Sequence, residues 1–485
     1  MSSTLATPDA PTALRQLADL PSPAGEWPVV GHALKAGRDQ IHQYIEARSR
    51  ELGPLFRVQL GKRRILVVND HALTVQILKA RPDHFRRSNR FRAVATEMGL
   101  NMGLFSAEGD TWHRQRRMVM ASFAPQRIRA YFPSMLNVTR RLQARWLKAC
   151  AASPDGIARL DVQRELMRYT VDTITGLAFG HDVNTLDADG DVIQQHLDRI
   201  FPALFDRLLA VLPIWRYVQR DQDRQLAHSV AEVGRAIEGF IAQARARMDA
   251  EPQRRTEPTN LLEAFIAAAE NEDPAVRDGD VAGNVMTMLL AGEDTTANSL
   301  CWMLELMCQH PDALARARDE VMRLAPNGVE AFTPELLDQM DVLEACVHEA
   351  MRLKPVAPFL PVEAVHDTVI ADVAVPADTL VWNVLRGDAV SDAHLPDATQ
   401  FKPERWLATG DQAVPKHLSM PFGSGPRICP GRYLALLEIK MAAAMLLQRF
   451  DILGCAAPDG QDAVEQMNLT MTPVGLTLKL RARTG

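Results

Sequence analysis

One cysteine constrains this chain more than any other residue. Cys429 sits in Phe422-Gly-Ser-Gly-Pro-Arg-Ile-Cys-Pro-Gly431, and a long, largely apolar run from Tyr433 to Phe450 follows at once. Gly425 and Gly431 allow close backbone approach, and Pro426 and Pro430 stiffen the loop. A helix beginning near Gly431 points its N-terminal N–H groups back toward Cys429, and positive potential of that kind lowers a thiol pKa. A lone cysteine is usually a packing residue. This pattern instead suits a buried thiolate that binds a metal, and an iron-bound thiolate favours O–O cleavage.

The other cysteines (150, 301, 308, 346, 455) are scattered and form no C-x-x-C, so neither a zinc ribbon nor an iron–sulfur cluster is indicated. Sparse cysteine fits a reducing cytoplasm. A net charge of -6 argues against nucleic-acid binding. The N-terminus has neither the basic nor the apolar region of a signal peptide, and no apolar run is long enough to span a bilayer.

Residues 1–25, rich in Pro, Ala and Ser, predict a mobile arm, and residues 26–485 a single domain. Leu55–Leu60 and Ile65–Val68, separated by Gly61-Lys-Arg-Arg, read as a hairpin. Helical patterns dominate from about 110 to 350, near 112–122, 159–179, 223–248, 259–270, 312–324 and 334–354, with a long helix from about Asp280 to His310. Strand-like pieces return at Val369–Val375, Thr379–Val384 and from Leu476. The expected fold is mainly α with a small β portion.

Three further motifs carry chemistry. In Ala291-Gly-Glu-Asp-Thr-Thr296, mid-way along the long helix, Ala291 and Gly292 leave a bare patch where a flat or diatomic ligand can approach the backbone. Thr295 can bond back to the Ala291 carbonyl and open the helix locally. An acid beside an alcohol suits proton delivery. Glu349-Ala-Met-Arg352 places an acid and a base one turn apart. In Trp112-His-Arg-Gln-Arg116, Trp112 and Arg116 share a helix face, and both can donate to a carboxylate. His113 is expected to face solvent.

Phe422-x-x-Gly425-x-Arg427-x-Cys429-x-Gly431 resembles the haem-binding signature of the cytochrome P-450 family of haem-thiolate monooxygenases, and the other motifs stand in that family's order. The resemblance covers nearly the whole chain and is to a soluble, bacterial-type, stand-alone member with motifs similar to the microsomal and fatty-acid-hydroxylase type. It implies one large domain with haem b (iron protoporphyrin IX) between the long helix and the cysteine-loop helix. Cys429 becomes the iron ligand, Phe422, Gly425 and Gly431 shape its loop, and Arg427, Trp112 and Arg116 meet the haem propionates. Thr295 and Asp294 serve dioxygen activation and proton relay. Glu349 and Arg352 form a buried structural set with Arg405 of Phe401-Lys-Pro-Glu-Arg-Trp406. The family's basic residue after the E-x-x-R helix is missing: Leu360-Pro-Val-Glu-Ala364 has none, and the next arginine is Arg386.

By the same resemblance, the substrate pocket draws on the loop Phe91–Phe105, on Met286, Leu290 and Ala291, on Val356 and Phe359, and on Met471 in the segment 471–474. These apolar walls suit a lipophilic substrate such as a fatty acid, terpenoid, steroid or polyketide-like molecule. The chain ends soon after the cysteine loop. Electrons from NAD(P)H are therefore expected in trans, from a ferredoxin or flavodoxin with its reductase, docking on Arg114, Arg117 and Lys440. A monomer without a transmembrane anchor is expected. The competing readings are a peroxide-using peroxygenase or isomerase and a haem gas sensor; Asp294-Thr295 argues against both.

Overall fold

The computed structural model describes residues 14–33, 35, 37–180, 184–187, 192–272, 278–409, 413–415 and 417–483. Its axis is the helix Asp278–Gln309, which packs along Val162–Phe179. Gly292 explains how closely they approach: a Cβ there would lie 3.1 Å from the Ile174 side chain. The smallness of Gly292 is thus spent partly on helix packing and only partly on a bare patch.

The helix Arg432–Arg449 shows little amphipathic pattern because it is buried nearly all round, from Leu434 to Leu447. It starts from Gly431, so the cysteine loop is anchored directly on the core. Lys440 lies inside this helix with its side chain 3% exposed, paired with Glu344 at 2.6 Å. Its expected place on a docking face is therefore wrong, since its charge is already neutralised in the interior.

The β portion gathers strands from both halves of the chain. A five-stranded sheet runs Leu55–Leu60, Arg63–Val68, Leu380–Val384, Phe359–Ala364 and Phe85–Arg86. The predicted hairpin forms with Leu60 opposite Arg63, and Gly61 takes φ +61° in its two-residue turn. Three-stranded sheets join Arg15–Gln16 to Val373–Val375 and Thr368–Ile370, and Phe450–Ala456 to Thr477–Ala482 and Ile157–Asp161. A hairpin pairs Val464–Asn468 with Thr470–Val474.

Three expectations change. Arg15 and Gln16 pair in parallel with Val373 and Ala374, and Leu17 and Leu20 are buried, so residues 14–25 pack on the body and are no loose arm; residues 1–13 lie outside the described residues. The segment 159–179 begins as a strand, and its helix starts at Val162 behind the Asp161 cap. The segment 334–354 is two helices, Pro334–Leu337 and Asp341–Leu353. Among the described residues no helix is long and apolar enough to cross a membrane.

Candidate active site

Cys429 closes its own loop: its N–H donates to the Phe422 carbonyl at 2.9 Å. The thiol opens into a cavity of about 340 Å³ lined by the cysteine loop on one side and by Met288, Ala291, Gly292, Thr295 and Thr296 of the central helix on the other. Protein surrounds the thiol elsewhere. Burial pushes it up, while the Gly431 N–H and Arg116 pull it down. The net direction in the metal-free chain is thus upward, contrary to the expected lowering. A coordinated cation reverses this, because a ligating thiol gives up its proton outright.

Arg427, Trp112 and Arg116 all line this cavity. Arg116 donates to the Ile428 carbonyl at 2.7 Å. Arg427 donates to the Ala107 carbonyl at 2.8 Å, pairs with Glu108 and lies over the Trp112 ring, 4.7 Å from its centroid. Two more arginines, overlooked in the motif reading, complete the lining: Arg81 and Arg87. Nε and Nη2 of Arg81, Nε of Arg87 and Nε of Arg427 are buried without a hydrogen-bond partner. Burial holds Arg81 down to about 10 and Arg87 well below its usual range, with neighbouring guanidiniums adding to the effect and Glu108 opposing it. Arg81, Arg87 and Arg427 therefore feel one carboxylate, Glu108, which pairs directly with Arg427 alone. The surplus of positive charge and orphaned donors fits a ligand bearing carboxylates, as haem does. Arg386 does not contribute: it is paired with Glu46 and Glu465, each at 2.7 Å.

Gly425 explains part of the loop's shape. At φ +73° its α-carbon sits so close to the helix His71–Lys79 that a Cβ would lie 2.5 Å from the Leu78 carbonyl oxygen. Only glycine allows this approach.

On the central helix, Thr295 bonds back to Ala291 O at 2.7 Å, as its spacing predicts. Its neighbour faces elsewhere. Asp294 accepts from Asn298 Nδ2 at 2.6 Å and from Thr470 Oγ1, and burial raises its pKa against both donors. It lines a separate polar cavity of about 390 Å³ with Asp161, Gln163, Arg164, Asp198 and Glu293. Among the described residues no hydrogen bond joins Asp294 to Thr295. The acid thus looks onto a polar chamber behind the helix, and the alcohol onto the cysteine side.

Thr295 also borders a third cavity, about 770 Å³, whose apolar walls include Phe91, Phe105, Phe201, Phe205, Leu290 and Phe359. Of the expected pocket residues, Leu290, Ala291 and Phe359 line it, and Val356 lines the cysteine-side cavity. Met286 and Met471 line neither; both are core residues. Met286 lies off the helix stripe of Asn284, Thr287, Met288, Ala291 and Thr295 that borders the two cavities. Met471 has turned inward, with its N–H bonded to Val356 O at 2.8 Å. The hairpin reaches the pocket earlier, through Met467, Leu469 and Thr470. The segment 91–105 is no loop but largely two helices, Asn89–Glu97 and Gly103–Ser106.

Glu349 and Arg352 are buried, and Arg405 is part-buried. Arg352 grips both Glu349 oxygens at 2.7 and 2.8 Å and donates to the carbonyls of Ala389 and Ala398 at 2.5 Å each. Arg405 lies 3.4 Å from Glu349. Two donors missing from the motif complete the set: the Lys402 N–H at 2.9 Å and Trp406 Nε1 at 2.8 Å.

The Cytochrome P450 family pattern matches residues 21–480. The human 25-hydroxyvitamin D-1 alpha hydroxylase, mitochondrial, is 28% identical over 91% of this chain and 88% of its own length. A self-sufficient cytochrome P450 monooxygenase of Exserohilum turcicum is 28% identical over 90% of this chain, which spans 40% of that protein. A cytochrome P450 of Paris polyphylla is 27% identical over 80% of this chain and 78% of its own length. The chain belongs to the cytochrome P450 family and is a haem-thiolate monooxygenase of that family.

Proposed function

We propose that this monooxygenase hydroxylates or epoxidises a lipophilic small molecule. The observation that carries this reading is the phenylalanine-walled cavity of about 770 Å³ that Ala291 and Thr295 help to line. Its phenylalanine walls suit a lipophilic body, and Arg63, Arg87, Arg90 and Glu363, which also line it, offer polar anchors. A relative named for hydroxylating a vitamin D derivative agrees with that class.

Cys429 holds the iron, and Arg81, Arg87, Arg116 and Arg427 with Trp112 hold the carboxylate edge of the haem. When bound, the haem supplies the iron that activates dioxygen, and its thiolate ligand favours O–O cleavage. Asp294 draws protons from the polar cavity, and Thr295 presents its hydroxyl on the cysteine side. Glu349, Arg352 and Arg405 keep the scaffold rigid.

Electrons are delivered in trans from NAD(P)H through a ferredoxin or flavodoxin and its reductase. The exposed Arg117 and part-exposed Arg114, on the same helix as Trp112 and Arg116, supply basic docking groups. Six unpaired cysteines support placement in a reducing compartment, the cytoplasm.

The test is a ligand titration read by the haem absorbance. Lipophilic compounds of graded length should shift the iron from low to high spin, and Phe359→Ala should move the preferred length. Turnover should require NAD(P)H and a surrogate redox pair. Turnover with hydrogen peroxide alone, at the same rate, would replace this reading with a peroxygenase.

A further inference from the structure

We infer that His71, Asp388 and His394 form a binding site for one divalent transition-metal ion of the zinc class, apart from the haem cavity. One ring nitrogen of each histidine and one Asp388 oxygen lie within 4.8 Å of one another, and among the described residues no other such group of three converges. His71 Nδ1 is 2.9 Å from Asp388 Oδ2, and His394 Nε2 is 3.5 Å from Asp388 Oδ1. The imidazoles meet edge-on, with centroids 4.9 Å apart.

The backbone holds two of the three ligands in place. His71 opens the helix His71–Lys79, and its N–H donates to Asp388 Oδ2 at 2.8 Å. Asp388 starts a short 3-10 turn whose next residue, Ala389, offers its carbonyl to the buried Arg352. His394 is the most exposed of the three, 37% against 29% and 17%, and can close the remaining gap by side-chain rotation. Two imidazoles and a carboxylate without thiolate suit zinc, cobalt, nickel or copper(II). Zinc takes such ligands at about 2.0–2.2 Å and accepts water in a fourth position. On binding, the ion replaces the hydrogen bond between His71 and Asp388, and His71 carries its proton on Nε2.

The site ties the start of helix His71–Lys79 to the loop gripped by Arg352. The far end of that helix backs Gly425 of the cysteine loop. An ion here would brace the cysteine loop from behind without touching haem or substrate.

The test is calorimetric titration of zinc chloride into haem-loaded protein carrying no histidine tag, so that iron occupies Cys429. One saturable equivalent is expected, with a melting temperature that rises with zinc and returns on chelation. His394→Ala and His71→Gln should each weaken binding by about 10-fold or more, since even outer partners of a metal ligand are worth 10–100-fold. His366→Gln, which removes one member of the His84–His366 pair joined at 3.0 Å, should change nothing. Absence of a saturable equivalent, or equal affinity in parent, His394→Ala and His71→Gln, would overturn the assignment.

Discussion

Replacing Arg81 with methionine should move two properties of the protein in opposite directions. Arg81 is 6% exposed, and two of its guanidinium nitrogens have no hydrogen-bond partner. Burial lowers its pKa to about 10. At about 1.4 kcal/mol per pH unit, that corresponds to a cost on the order of 3 kcal/mol for keeping the cation in the haem-free fold. Below pH 10 folded and unfolded chains both carry the proton, so the cost is fully present at neutral pH and fades only as pH rises through the folded pKa. Arg81→Met should therefore stabilise the haem-free chain by up to about 3 kcal/mol in a urea melt followed by circular dichroism. The same change removes a charged partner from the haem carboxylates, and such a hydrogen bond is worth about 1.5–3 kcal/mol. Haem should then leave about 10–150 times faster in transfer to an excess acceptor protein. A haem-free variant less stable than its parent, or unaltered haem loss, would refute the assignment of Arg81.

Three other perturbations test separate parts of the site. Glu349→Gln leaves Arg352 buried without its charge partner and should cost about 3–5 kcal/mol in denaturant melts; a change below 1 kcal/mol would mean that the buried carbonyls alone hold Arg352. Asp294→Asn keeps the bond geometry to Asn298 and Thr470 but removes a transferable proton, so product formed per NAD(P)H consumed should fall while substrate-induced spin shifts persist. Reversing charge at Arg114 and Arg117 together should slow reduction by an acidic electron donor and flatten its salt dependence; unchanged kinetics would remove this helix from the docking face.

The chemistry-bearing loops were legible because their residue types are dictated locally. Gly425 needs its left-handed backbone and close approach, and the threonine back-bond at Thr295 follows from i,i+4 spacing alone. Gly431, at φ -81° and with room for a Cβ 3.8 Å from its nearest neighbours, does not show the close approach expected of it. Packing direction was less legible. Asp294 and Thr295 are neighbours in sequence, yet adjacent helix positions point about 100° apart, and only the surrounding helices decide which cavity each meets. Met286 and Met471 failed for the same reason, since a methionine suits a core as well as a pocket wall. Arg81 and Arg87 carried a signal that spacing could not interpret. The stretch from Arg81 to Arg90 is dense in arginine, but nothing local shows which side chains turn toward the cysteine loop. No basic residue follows Arg352 closely, and Arg81 and Arg87 bring positive charge to the cysteine-side cavity from a remote segment.

Phe201, on the helix Val192–Leu209, lines both the polar chamber of Asp294 and the phenylalanine-walled pocket. That helix is a shared partition. A guest large enough to push it outward should reshape the neighbouring compartment around the acid. Size tolerance and economy of reducing equivalents should therefore be linked through one wall, with oversized guests forming less product per NAD(P)H consumed. Broadening what this enzyme accepts will require changes that leave Phe201 where it is.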